Sequence, residues 1–234
     1  LKAHLAVSSV DRAFMDFKTF TKLFSGSPFK PLLQHRELIL DALLHLNQQF
    51  HNLNSDQSFN AHSSKWIKAF PGQLEKLEHE TLQRLHQPFI TSQPKDVVIN
   101  TLQIQSALAH EICRLSERLG YRPLNLPSEL IVPINVLARQ FGQTTCQLRQ
   151  GIDELEQLSA SGYRKRHKSS LHRLRKQLAL YTDELRDTSQ EIRLHACQLE
   201  RHIDPVDVAL LFLILDSISD LALWMRSLIV HLQN

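Results

Sequence analysis

The stretch from Pro205 to Met225 leaves this chain few folds to choose from. Val208-Ala209-Leu210-Leu211-Phe212-Leu213-Ile214-Leu215 is an unbroken apolar run. Asp216, Ser219 and Asp220 interrupt it, and Leu221-Ala222-Leu223-Trp224-Met225 resumes it. Asp204 is placed to cap a helix, and Pro205 fits a first turn, where its missing N–H costs nothing. A helix apolar almost all round belongs in an interior. It is long enough to cross a bilayer, for which about 20 residues suffice. Against that, Asp207, Asp216, Asp220 and Arg226 would each cost roughly 2.5–3.5 kcal/mol near the bilayer centre. The expectation is therefore the core helix of a bundle. Asp216 and Asp220 stand four apart and share a face. On a buried helix such a pair needs a metal, a base or a water-filled seam.

The rest of the chain reads the same way. Its 234 residues hold only six glycines. Leu, Gln, Arg and Glu dominate, all good helix formers, and no alternating strand pattern lies between turn residues. The class expected is all-α. A net charge of +3 is a mild bias that requires no nucleic acid. Cys113, Cys146 and Cys197 form no Cys-x-x-Cys pair and sit in helical patterns, as small core residues of a reducing compartment do. The opening Leu1-Lys2-Ala3-His4-Leu5-Ala6-Val7 lacks the apolar length and cleavage site of a signal peptide. The expectation is a cytoplasmic protein.

Punctuation divides the chain. Residues 1–25 form an arm or short helix, where Phe14, Phe17 and Phe20 suit either self-association or core packing. Ser27-Pro28 opens helix one, from about 31 to 52. Helix two covers roughly 56 to 87, and Pro71-Gly72 is expected to break or kink it. Helix three spans 95 to 119 and ends at Gly120. The segment Arg122-Pro123-Leu124-Asn125-Leu126-Pro127 is the clearest linker. Helix four covers 128–159, helix five 165–202 and helix six 205–233. The fold expected is six long helices running up and down, as two tandem three-helix bundles over 26–126 and 127–234.

Candidate chemistry lies mostly in the second bundle. Asp183 and Asp187 repeat the Asp-x-x-x-Asp spacing on helix five. With Asp216 and Asp220 they could present four carboxylates from neighbouring antiparallel helices, a donor set for a divalent or iron-type metal ion. Alternatively, Asp183 and Asp187 continue with Glu191 and His195 as a solvated stripe. Arg164, Lys165, Arg166 and Lys168 start a basic run without an acid between Glu156 and Asp183. It could meet an anionic lipid surface, phosphate or an acidic partner, or be a solvated helix start. Apart from Tyr163 it lacks interleaved aromatics, which disfavours single-stranded nucleic acid. No Glu-x-x-His, His-Glu-x-x-His, Gly-x-Ser-x-Gly or phosphate loop occurs, so no catalytic residue is assigned.

Four stretches resemble the PhoU-like family of phosphate transport regulators. They are Ser27-Pro28-Phe29-Lys30-Pro31-Leu32 with His35; Leu77-Glu78-His79-Glu80; Glu154-Leu155 through Ser161-Gly162-Tyr163-Arg164; and Asp204-Pro205-Val206-Asp207-Val208 with Asp216 to Ala222. The resemblance covers about residues 20 to 234. It implies tandem three-helix bundles and Glu/Asp-x-x-x-Asp motifs able to bind metal. It also implies a non-enzymatic, cytoplasmic accessory of phosphate uptake, with a phosphate permease or its regulators as partner. Departures are plain. Leu82 stands where an acid should follow Glu78, Gln105 and Ala109 occupy positions often acidic or amide, and Ser189 replaces the second acid of an Asp-Thr-Asp. Only Asp216-x-x-x-Asp220 carries over whole, with Asp187 as its helix-five partner.

The function expected is a regulator or accessory of inorganic phosphate transport, oligomeric and at most peripherally attached to membrane. A metal-free scaffold and a metal-dependent hydrolase are the alternatives. The hydrolase would need an open coordination position and a general base beside the aspartates.

Overall fold

The structure, a computed structural model, describes residues 28–51, 61–86, 95–160 and 164–231. The side chains of 51, 61–67, 155–160, 164–168, 171 and 200 fall outside the described set, as does the 1–25 arm. The helices are α1 (Phe29–His51), α2 (Ala61–His86), α3 (Lys95–Gly120), α4 (Ser128–Ala160), α5 (Arg164–Gln198) and α6 (Pro205–His231). A short 3-10 turn, Glu200–His202, joins the last two. Among the described residues there is no strand, and the all-α expectation holds.

Local signals set the boundaries. At the start of α6 the Val206 N–H donates to Asp204 Oδ1 at 2.8 Å, and the Val208 N–H donates to the Asp204 carbonyl at 3.1 Å. Asp204 therefore caps α6, with Pro205 in its first turn. The expected break at Pro71 is corrected, because α2 runs straight through it. Pro71 and Gly72 face solvent while Phe70 and Leu74 are buried. Water can serve a carbonyl that lost its N–H partner on the outer face, and the buried side chains hold the helix through the flaw. Helix five is shorter than expected and ends at Gln198.

In chain order the helices form two trios, α1–α3 and α4–α6. The trios then pack on each other, α3 against α6 and α1 against α4. The main apolar core crosses both trios, running from Phe50, Phe70 and Ile112 through Phe141 to Leu185, Ile218 and Met225, and a smaller cluster of Leu32, Leu85, Val98 and Leu102 lies apart from it. Phe50 and Phe141 meet edge to face across the trios, with ring centroids 6.4 Å apart at 74°, a favoured aromatic geometry. Close approach needs small residues. A Cβ on Gly142 would lie 2.7 Å from the Asn47 side chain of α1. One on Gly151 would lie 2.2 Å from Leu174 of α5.

The Pro-rich linker is pinned at several points. Leu124 is buried in the core, and the Asn125 N–H donates to Asp207 Oδ2 at 3.2 Å. α6 is long and apolar enough to cross a membrane by composition. It packs against α3 and α5 instead, with one side buried along Leu210, Ile214, Ile218, Leu221 and Met225.

Candidate functional site

The four aspartates do not assemble. Asp216 is exposed and accepts a hydrogen bond from Arg193 Nη2 of α5 at 2.5 Å. Asp187 is exposed, and Asp220 is half-buried. Asp183 accepts from Arg186 Nη2 at 3.2 Å and lies 3.9 Å from Arg226. Among the described residues no three His, Cys, Asp or Glu side chains come close enough to hold a metal ion. The inward-facing carboxylate cluster of Asp183, Asp187, Asp216 and Asp220 is therefore corrected. The reason is helical phase. At 3.6 residues per turn, positions 206, 209, 213, 216, 220 and 223 recur on the outer side of α6. The apolar residues that suggested full burial divide between the two sides. With arginines already held by Asp183 and Asp216, the donor set present does not fit a metal. Arg164, Lys165, Arg166 and Lys168 lie on the first turns of α5, with side chains outside the described set.

Buried polar groups lie instead along the seam between the trios. Ser217, the neighbour of Asp216, is fully buried. Its hydroxyl donates to Glu111 Oε1 of α3 at 2.7 Å and accepts from Arg118 Nη1 at 2.5 Å. Arg118 also donates to the Leu213 carbonyl, and Arg114 lies 3.0 Å from Glu111. The buried Glu111 carboxylate thus has a hydroxyl and a guanidinium as partners. A charge removed from water needs both.

A second cluster closes the linker end. Asp207 has no exposed side-chain surface and is paired with Arg122, which also reaches Asp204 at 3.3 Å. The Arg122 contact and the Val206 N–H, the stronger of the two, hold the Asp204 carboxyl below its ordinary range. One arginine of the linker thus grips both acids of the α6 start. Farther along, Arg149 of α4 reaches Asp41 of α1 at 2.7 Å and Glu37 at 3.3 Å.

The first trio has its own polar knot. His35, fully buried on α1, has Nδ1 2.9 Å from Gln105 Oε1 of α3. Its Nε2 lies 3.5 Å from Glu78 Oε1 of α2. Ser106 donates a short hydrogen bond to the same carboxylate. Burial pushes the imidazole below its ordinary 6.5, outweighing the Gln105 and Glu78 contacts that raise it. The knot sits on positions that the PhoU-like resemblance singled out, but joins them by hydrogen bonds between three helices. Sequence reading missed Glu111, Arg118 and Ser217 altogether. No spacing rule marks a serine whose partners lie about a hundred residues away.

The arrangement orients and couples. The trios cannot separate without breaking ion pairs at Arg122 and Arg149 and the relay at Ser217.

No family model and no curated protein matches this chain in sequence. Solved structures do match in fold. A PhoU-like protein from Shewanella oneidensis superposes with a TM-score of 0.72 at 23% identity, covering 88% of this chain and 97% of that one. A second, named a PhoU-like phosphate regulatory protein from the same organism, gives 0.71 at 24%, covering 88% and 94%. The chain has the PhoU-like helical-bundle fold over nearly its whole described length.

Proposed function

We propose that this protein of PhoU-like fold is a non-enzymatic, cytoplasmic regulator of inorganic phosphate transport that works by docking to a permease or its control proteins. The observation that carries the reading is the end-to-end fold match with a chain named as a phosphate regulatory protein. Fold by itself does not imply function, so support also comes from the seam. Arg122, Arg149 and the Glu111–Ser217–Arg118 relay make the two trios one body. A partner seated on one trio therefore holds the other in a fixed place beside it. Regulation by docking needs that rigidity and no reacting group.

This reading uses no metal. The aspartates proposed from sequence as ligands are divided between arginine pairs and solvent, which favours the scaffold form of the regulator over a hydrolase. Uptake of labelled phosphate by cells lacking the protein tests the proposal. A change in uptake rate, restored by the wild-type chain, is expected. Unchanged uptake at both scarce and abundant phosphate would refute it. Iron, manganese or zinc should leave the melting temperature of the chelator-treated protein unchanged.

A further inference from the structure

A groove of about 320 Å³ opens between the first half of α5 and the last turns of α6. Arg175 and Lys176 line it from one helix and Arg226 from the other, with His172 beside them. Ile229 and Val230 give it an apolar wall. Among the described residues no carboxylate lines it. Asp183 stands at its margin, 3.9 Å from Arg226.

Beyond the groove two exposed leucines stand on the same seam as Asp183. Leu180 follows Lys176 by four residues and Leu223 precedes Arg226 by three, so each shares a face with its cation. Both leucines are exposed, and Val230 is exposed in part. The sequence adds Arg164, Lys165, Arg166 and Lys168 to the same end of α5.

We infer that this groove and its leucine margin form a docking surface for an anionic phospholipid bilayer. The chemistry is two-part. Arg and Lys meet headgroup phosphates, while leucine and valine enter the boundary between headgroups and acyl chains. A free phosphate ion would use the cations and leave the apolar wall without a role. A nucleic-acid strand would call for aromatic platforms, and among the described residues no aromatic side chain lines the groove. α6 remains a packed helix of the bundle throughout, so attachment is peripheral. The inference stands apart from the phosphate-transport reading, and either can fail alone.

Sedimentation of the full chain with vesicles tests it. Binding is expected to vesicles of phosphatidylcholine mixed with phosphatidylglycerol, and not to phosphatidylcholine alone. Each cation near such a surface is worth roughly fivefold in partitioning. The triple variant Arg175→Gln, Lys176→Gln, Arg226→Gln should then bind on the order of a hundredfold more weakly. A charge-matched triple on other exposed positions, Lys68→Gln, Lys76→Gln, Arg139→Gln, should bind like wild type. Arg226→Lys should retain binding, and Leu223→Ser should weaken it at high salt as well as low. Circular dichroism checks that each variant is folded. Absent vesicle binding, or equal loss in both triples, would overturn the inference. So would displacement by millimolar glycerol phosphate, which would mark a site for soluble anions. Binding of polyglutamate without vesicle binding would assign the groove to an acidic protein and equally sink the lipid proposal.

Discussion

Asp216 and Ser217 are adjacent in the chain, yet on α6 the first is exposed and the second buried. In the sequence Asp216 draws attention, as an acid within an apolar run, and Ser217 draws none. In the structure Asp216 is on the surface, its guanidinium partner Arg193 also stacked 5.5 Å from the Phe212 ring centroid. Ser217 is buried and joins Glu111 to Arg118 across the trios. The contrast teaches that a polar residue's weight comes from what it would strand if removed. An exposed carboxylate strands nothing, since water replaces its partner. A buried hydroxyl that serves a buried carboxylate strands a charge.

Substitutions on the two sides of α6 can break this contrast. Leu221→Ala on the inner side should cost about 2–5 kcal/mol in denaturant unfolding, against roughly 0.5 kcal/mol for Leu223→Ala on the outer side. Equal losses would mean that α6 is buried all round. Ser217→Ala should cost about 1–3 kcal/mol. It should cost much less in a Glu111→Gln background, where no charge is left unserved, and a double-mutant cycle reads the difference.

The first trio extends the comparison through pH. His35 is held neutral by burial, with its folded pKa below the unfolded 6.5. Below 6.5 the unfolded chain takes up a proton that the folded chain refuses, so stability falls as pH drops from 6.5 toward the folded value. His35→Gln should flatten that fall below pH 6.5, as followed by melting temperature. An identical slope in the variant would remove His35 as its source. The smallest effect is expected for Asp216→Ala, about 0–1 kcal/mol. A larger loss, or one abolished by chelator, would restore a metal role to that acid.

Much of the fold was legible in residue order. The Asp204-Pro205 start of α6, the end of α3 at Gly120, the linker after it and the six long helices of the described residues follow from caps, prolines and apolar period, all local in cause. The PhoU-like resemblance, read from four short stretches, agrees with the fold match. Less of the candidate site was legible. Period placed Asp216 and Asp220 on one face, and the apolar character of α6 then suggested the inner one. That step failed because a strongly apolar helix has no polar side to give its phase away. Pro71 misled for a related reason, since Phe70 and Leu74 outweigh one lost hydrogen bond only when a core exists to receive them.

The sequence by itself determined that this chain is helical, where most of its helices begin and end, and that the last of them is the most apolar. These depend on interactions within a few residues along the chain. Only the tertiary structure decided which side of α6 turns inward, that the linker is gripped by Arg122 and Asp207, and that Ser217 rather than Asp216 joins the trios. Those outcomes depend on groups brought together from about a hundred residues apart, and packing, which no local period encodes, selects them.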